Sequence, residues 1–273
     1  MKKMNLFLLQ TLIVTGLFFA VACSGDDDNQ SPTCSFNTPA NNDIFAATAT
    51  ISVSVTATDS DGTIAEVQLW IDNAVHGAKM TSPYTFVINP GELGPGTHTL
   101  KAVAKDNKGA IGASTIITIK VTAYVGMSYG GGKVVYVDET KMHGLIAALA
   151  DQSTGIQWSN GSLIATGATL TAIVTGQANT AKIVQVQGNT GSYAAKLCKD
   201  LNLNGYNDWF LPSKDEFMEL YENRELIGGF SEEWYWTSSE ENGNTAHAQH
   251  IGFGNRGEFS KNNTHRVRAV RAF

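Results

Sequence analysis

The sequence predicts a multi-domain chain: an all-β sandwich followed by an α+β domain. Three observations carry this. Apolar residues alternate with polar ones in short runs, as in Ile51-Val53-Val55, Val67-Leu69-Ile71 and Ile117-Ile119-Val121, which is the pattern of half-buried antiparallel strands. The later Ser213-Lys214-Asp215-Glu216 has capping-box spacing just before apolar Phe217, Leu220 and Tyr221, which predicts a helix over 213–225. The chain has 273 residues with 42% apolar content and a formal charge of -6, enough for two domains with their own cores. An acidic balance with scattered Lys and Arg excludes nucleic acid as a partner class.

The first element is a signal peptide, residues 1–22. Lys2 and Lys3 precede an apolar run from Leu6 to Ala22, too short and wrongly flanked for a spanning helix. Ala20-Val21-Ala22-Cys23 resembles a bacterial lipobox, which implies cleavage before Cys23 and lipidation of that residue, so that the lipid makes the membrane a partner. Residues 23–31 then form an acidic tether. Its Ser24-Gly25-Asp26-Asp27-Asp28 resembles the signal that sends some lipoproteins to the outer face of the outer membrane in Gram-negative phyla. The expected location is therefore the cell surface. With Cys23 lipidated, Cys34 and Cys198 remain, one in each domain, and two separate thiols are expected rather than a disulfide.

Residues 32–123 form the sandwich. Turn chemistry recurs at Asp59-Ser60-Asp61-Gly62, Asp72-Asn73, Asn89-Pro90-Gly91, Gly94-Pro95-Gly96 and Asp106-Asn107-Lys108-Gly109. About seven strands at this spacing is the immunoglobulin-like count. Val55-Thr56-Ala57-Thr58-Asp59-Ser60-Asp61-Gly62, Val67-Gln68-Leu69-Trp70-Ile71-Asp72 and Gly96-Thr97-His98-Thr99-Leu100-Lys101 follow in the order that resembles bacterial Ig-like modules, which usually act as spacers. Asp59, Asp61 and Asp106 are turn residues on this reading, with oxygen ligation of calcium as the alternative.

Residues 124–273 form the second domain. Strands are expected at 133–138, 143–150, 234–239, 248–253 and 267–273, and helices at 192–201 and 213–225. The Gly-, Thr- and Ala-rich stretch 159–190 has weak periodicity and is left unassigned. Gly205 to Ser213 turns the chain, because Asn204-Gly205 suits a left-handed turn and Pro212 holds Leu211 extended. Gly131-Gly132-Lys133-Val134-Val135-Tyr136-Val137-Asp138, Tyr193-Ala194-Ala195-Lys196-Leu197-Cys198, Asp208-Trp209-Phe210-Leu211-Pro212-Ser213, Tyr235-Trp236-Thr237-Ser238-Ser239 and Val267-Arg268-Ala269-Val270-Arg271 occur in order. Together they resemble the Lcl C-terminal-like family, the C-terminal domain of a bacterial collagen-like adhesin. The resemblance implies a C-type-lectin-like α+β fold, surface lipoproteins, no established catalytic residues and, for that adhesin, binding to sulfated glycans. The chain departs from such domains in having no second cysteine near Trp158 to pair with Cys198.

The candidate ligand-binding residues are Tyr206, Asn207, Asp208, Trp209, Trp234, Tyr235, Trp236, Ser239, Arg256 and Arg268. Aromatic faces stack on the C–H side of a sugar, Asn, Asp and Ser meet hydroxyls, and Arg matches sulfate or carboxylate with paired donors. Each ring taken singly is better explained by a core, with at least one aromatic expected at the surface. No catalytic set, cofactor or metal is expected. Gly126-Met127-Ser128-Tyr129-Gly130 lacks the helix a nucleophile elbow needs, and Gly252 to Gly257 reads as a hairpin turn. His247 and His250, three apart on a strand, point to opposite faces. The function expected is a surface-anchored binding or adhesion module for a glycan or surface protein. The alternatives are a carbohydrate-active hydrolase, using carboxylates such as Asp208 and Glu240, and a structural envelope component.

Overall fold

The computed structural model describes residues 28–273, so the signal peptide and Cys23 lie outside the described residues. The sandwich is built from β1 (Thr33–Thr38), β2 (Asp43–Ala46), β3 (Ile51–Thr58), β4 (Ile64–Ile71), β5 (Ala74–Lys79), β6 (Tyr84–Ile88), β7 (Gly96–Asp106), β8 (Ile111–Ala113) and β9 (Ile117–Thr122). One sheet runs β1-β3-β6 and the other β2-β9-β7-β4-β5, with β8 on β7. Alternation does the folding: Ile51, Val53 and Val55 point inward from β3 while Ser52 and Thr56 face water. Val67 and Leu69 of β4 and Leu100, Ala102 and Ala104 of β7 close the core from the facing sheet, each fully buried. Each such Val or Leu contributes about 1.5–3 kcal/mol by leaving water. Asp72 and Asn73 both take positive φ, 47° and 66°, the conformation of a two-residue hairpin turn.

The second unit contains β10 (Ser128–Tyr129), β11 (Gly132–Val137), β12 (Gly144–Ala147), β13 (Ser153–Gln157), α1 (Gly176–Gln187), α2 (Ala194–Lys199), α3 (Lys214–Glu222), α4 (Arg224–Ile227), β14 (Trp234–Glu240), β15 (Thr245–His250), β16 (Arg256–Ser260), β17 (Thr264–Val267) and β18 (Val270–Ala272). Its strands form a sheet β10-β11-β12-β18 and a sheet β13-β17-β14-β15-β16. α1 packs against β14 and α2, and α3 packs against β11, β14 and β15.

The capping box at Ser213 forms in full: the Glu216 amide donates to Ser213 Oγ, and the Ser213 amide donates to Glu216 Oε2 at 2.7 Å. Asn204 and Gly205 take φ of 53° and 83°, making the turn the sequence asks for. Three expectations are corrected, and one open stretch is filled. The helix over 213–225 breaks at Asn223 into α3 and α4. The unassigned stretch 159–190 holds α1, whose N-cap Thr175 makes no side-chain cap bond. It is fixed instead by tertiary polar contacts: Asn179 Nδ2 donates to Leu170 O at 2.6 Å, and the Leu211 amide donates to Thr180 Oγ1 at 3.0 Å. The strand expected at 248–253 lies at 245–250, because Gly252 to Asn255 are spent on the turn into β16. The C-terminal strand 267–273 is two strands, β17 and β18, in different sheets, with Arg268 and Ala269 at the crossing. Where the units meet, the Ala123 amide donates to Lys141 O at 2.6 Å, and a Cβ on Gly94 would lie 2.7 Å from the Tyr129 ring.

Candidate functional site

Five of the candidates belong to the core. Trp209, Tyr235 and Trp236 are at most 1% exposed, as is Trp158. Each indole N–H is spent internally: Trp209 on Tyr206 O at 3.2 Å, Trp236 on Ile156 O at 2.9 Å and Trp158 on Thr237 O at 2.8 Å. Tyr235 donates to Asp151 Oδ2 at 2.8 Å, and burial pushes its phenol up to about 12. Ser239 is buried, donating to Leu170 O at 2.8 Å and accepting the Lys214 amide at 3.0 Å. Arg268, fully buried, braces the crossing between the sheets. Its Nε donates to Asp151 Oδ1 at 2.8 Å, Nη1 to Ala148 O at 3.0 Å, and its guanidinium lies over the Phe230 ring. These side chains are walls, out of reach of a ligand.

The stretch before the turn is half committed as well. Arg271 grips Asp208 through Nε at 2.7 Å and Nη2 at 2.8 Å, and the guanidinium stacks 4.0 Å from the centre of the Tyr206 ring. The Arg271 hydrogen bond holds the Asp208 carboxyl below its usual range against the cost of burial. Asn207 alone of the three stands fully exposed. Beside this loop lies an apolar cleft of about 350 Å³, lined by Leu149, Leu197, Leu201, Leu203 and Asn204 among others. Asp208 and Glu240, the carboxylates weighed for hydrolysis, both neutralise cations. Glu240 pairs with the fully buried Lys261 and accepts the Thr166 and Gly167 amides at 2.8 Å.

The open aromatic surface lies elsewhere, at the β15–β16 end of the five-stranded sheet. Phe253, at the tip of the turn, is 74% exposed and stacks on His250 with ring centres 4.8 Å apart. His250 meets Trp234 edge-on at 5.5 Å, and Trp234 packs on Phe259 at 4.6 Å. The Gly252 and Phe253 amides donate to His250 Nδ1 at 3.2 and 3.3 Å, which fixes the imidazole under the exposed ring. Next to this stack is a polar cleft of about 280 Å³, lined by Arg224, Glu225, Ser231, Glu232 and the backbone of Gly228, Gly229 and Gly252. Of the candidates only Trp234 belongs here, half-buried as the base of the stack. Phe253 escaped the sequence reading because one Phe in a glycine-rich turn has no periodicity. The signal was there in Gly252 and Gly254, which give the ring no side chain beside it in the turn.

Arg256 is exposed on β16, 3.9 Å from Asp215. On the same face His247 meets Glu241 at 3.1 Å, and one ligand atom each of Glu241, His247 and Glu258 lie within 4.8 Å of one another. This group was missed because its members come from three places along the chain, and His247 and His250 do point apart. Asp59 and Asp61 follow β3 and Asp106 ends β7, with Lys108 Nζ 3.0 Å from Asp61 Oδ2. Cys34 and Cys198 are both free.

Fold and site define a two-part chain: a β-sandwich, then a mixed helix and strand unit presenting an aromatic platform beside a polar cleft. Residues 32–102 match the family described as bacterial Ig domain, and residues 147–271 match the Lcl C-terminal domain, so the chain carries these two domains in that order. Solved structures similar to parts of it include the Clostridium thermocellum CbhA fibronectin(III)-like modules, at 25% identity over 34% of this chain and 98% of that one, TM-score 0.31. A second is Bacteroides ovatus SGBP-B, from a mixed-linkage glucan utilization locus, in complex with a mixed-linkage heptasaccharide, at 18% identity over 47% of this chain and 34% of that one, TM-score 0.26. A third comes from work on host cell surface retention of a bacterial ice-binding adhesin, at 15% identity over 49% of this chain and 48% of that one, TM-score 0.26. No curated protein matches the sequence.

Proposed function

We propose that this protein is a surface-anchored lipoprotein in which the Ig module carries an Lcl C-terminal domain that binds a glycan through the Phe253 platform. The observation that supports it is the exposed Phe253 ring, one residue along from Gly252 in the wall of the polar cleft and stacked on His250, which in turn meets Trp234. A sugar ring laid on Phe253 would bring its hydroxyls toward Arg224, Ser231 and Glu232. The C-type-lectin-like fold belongs to this reading; the sulfated-glycan binding of the adhesin that names the family does not. The arginines argue against capture of a polyanion. Arg266 and Arg268 are taken by Asp151 and Arg271 by Asp208, leaving Arg224, beside Glu225 in the cleft, and Arg256, beside Asp215, as the partly exposed ones. The proposed ligand is therefore a neutral or weakly charged saccharide held by stacking, with modest salt dependence. A glycan array probed with the full chain tests this. Hits on neutral glycans that Phe253→Ala weakens at least tenfold, with circular dichroism unchanged, are expected. Binding confined to sulfated glycans and insensitive to that variant would overturn it.

A further inference from the structure

The loops at one end of the sandwich carry buried oxygens that no protein donor reaches. Asp59 and Asp61 lie in the β3–β4 loop, Asp106 and Asn107 at the end of β7 and in the turn that follows it, and Asn29 in the segment leading into β1. Both carboxylate oxygens of Asp59, Asp106 Oδ2 and Asn29 Oδ1 are buried without a hydrogen-bond partner. Asp106 is 1% exposed, and its Oδ1 takes the amides of Lys108 at 2.8 Å, Gly109 at 2.5 Å and Ala110 at 2.9 Å. That clamp fixes the direction of the unpartnered Oδ2.

The pieces are contiguous. The Asn29 side chain lies against the Asp106 carboxylate and the Asp59 side chain against Asp61. Asp61 accepts the Gln30 amide at 3.2 Å and Lys108 Nζ at 3.0 Å. Gly62 marks the space between the loops: a Cβ there would sit 2.6 Å from Asp59 Oδ2 and 2.5 Å from Asn107 Oδ1. The unpartnered oxygens thus lie in adjoining loops, with Lys108 occupied by Asp61. Buried oxygens persist without partners only where something else satisfies them. A donor set made wholly of oxygens, from flexible loops and without nitrogen or sulfur, suits a hard cation, and its size and looseness suit calcium over magnesium.

We propose that this cluster is a calcium site, with the unpartnered oxygens of Asp59, Asp106 and Asn29 as ligands, Asp61 held back by Lys108, and the N-terminal segment locked onto the sandwich by the ion. Thermal unfolding of the full chain in EDTA and across a calcium titration tests it. The melting temperature is expected to rise with calcium, with a Kd in the roughly 10⁻⁴–10⁻³ M range of extracellular modules. Asp59→Asn should melt with the wild type in EDTA, because that carboxylate accepts no protein hydrogen bond, and should bind calcium at least tenfold more weakly. Gly62→Ala, whose Cβ would displace Asp59 Oδ2 and Asn107 Oδ1 without removing an oxygen, should also bind calcium at least tenfold more weakly, with a lower melting temperature in EDTA because Asn107 Oδ1 holds the Thr63 amide. Absence of any calcium shift up to roughly ten times that range, or an unchanged shift in both variants, would overturn the proposal. An equal response to magnesium would overturn the assignment of the ion.

Discussion

At the scale of single residues, the second unit is held by charges that never meet water. Lys261 and Glu240 form a buried pair, and Lys261 also donates to Ile164 O at 2.9 Å and Gly243 O at 3.0 Å while lying over the Trp158 ring. The pair thereby staples the loop before α1 to β14. Removing one partner leaves the other charge buried, so Lys261→Met should cost about 3–5 kcal/mol by urea unfolding. Acid should weaken the same unit. For Glu240, burial raises the carboxyl, but Lys261 and the Thr166 and Gly167 amides outweigh it and the folded value is depressed. Asp208 is depressed chiefly by Arg271. Their contribution is therefore present above the unfolded carboxylate range of about 4 and lost as pH falls through the lower folded values. Glu216 acts oppositely, since burial raises it, so protonation relieves its cost. With the depressed groups more numerous, urea midpoints should be flat above about pH 5 and fall below about pH 4.

At the scale of elements, the start of α3 is fixed locally, while its end at Asn223 is not. The capping box needs only Ser213 and Glu216 and appears as expected. Ser213 Oγ also donates to Thr171 O and Ala172 O, both at 2.9 Å, and Glu216 Oε1 accepts the Gly176 amide at 3.3 Å. This one cap joins the starts of two helices. Ser213→Ala should cost about 2 kcal/mol, at the top of the range for caps, and hydrogen exchange should rise in α1 as well as α3. α1 was illegible because Ile183 is the one large apolar residue of its buried face, beside polar Asn179, Thr180 and Gln187. Trp209 and Trp236 failed as site residues for a related reason. A tryptophan pattern does not distinguish a sugar platform from a core until the indole N–H is seen to find a carbonyl.

At the scale of the whole molecule, the order of the two domains was legible because each rests on many short motifs in sequence. The division of β17 from β18 was not, since Arg268 reads as one more strand residue until Asp151 and Phe230 are in place. If the chain is a lipid-anchored display module, Cys23→Ala should move it from the membrane fraction to the soluble one, and retention would contradict that reading. A module anchored at one end and holding a ligand at the other is a mechanical element under tension. β2 and β9 run parallel, from Asp43 opposite Ile119 to Ala46 opposite Thr122, and the Asn42 and Ala47 amides extend the ladder to Thr118 O and Thr122 O. Force entering at the start of β2 and leaving at the end of β9 pulls these strands in opposite senses along their own axes. The hydrogen bonds between them then bear the load together in shear instead of opening one at a time, so rupture of this sandwich should demand more force than unzipping the antiparallel β4–β5 hairpin.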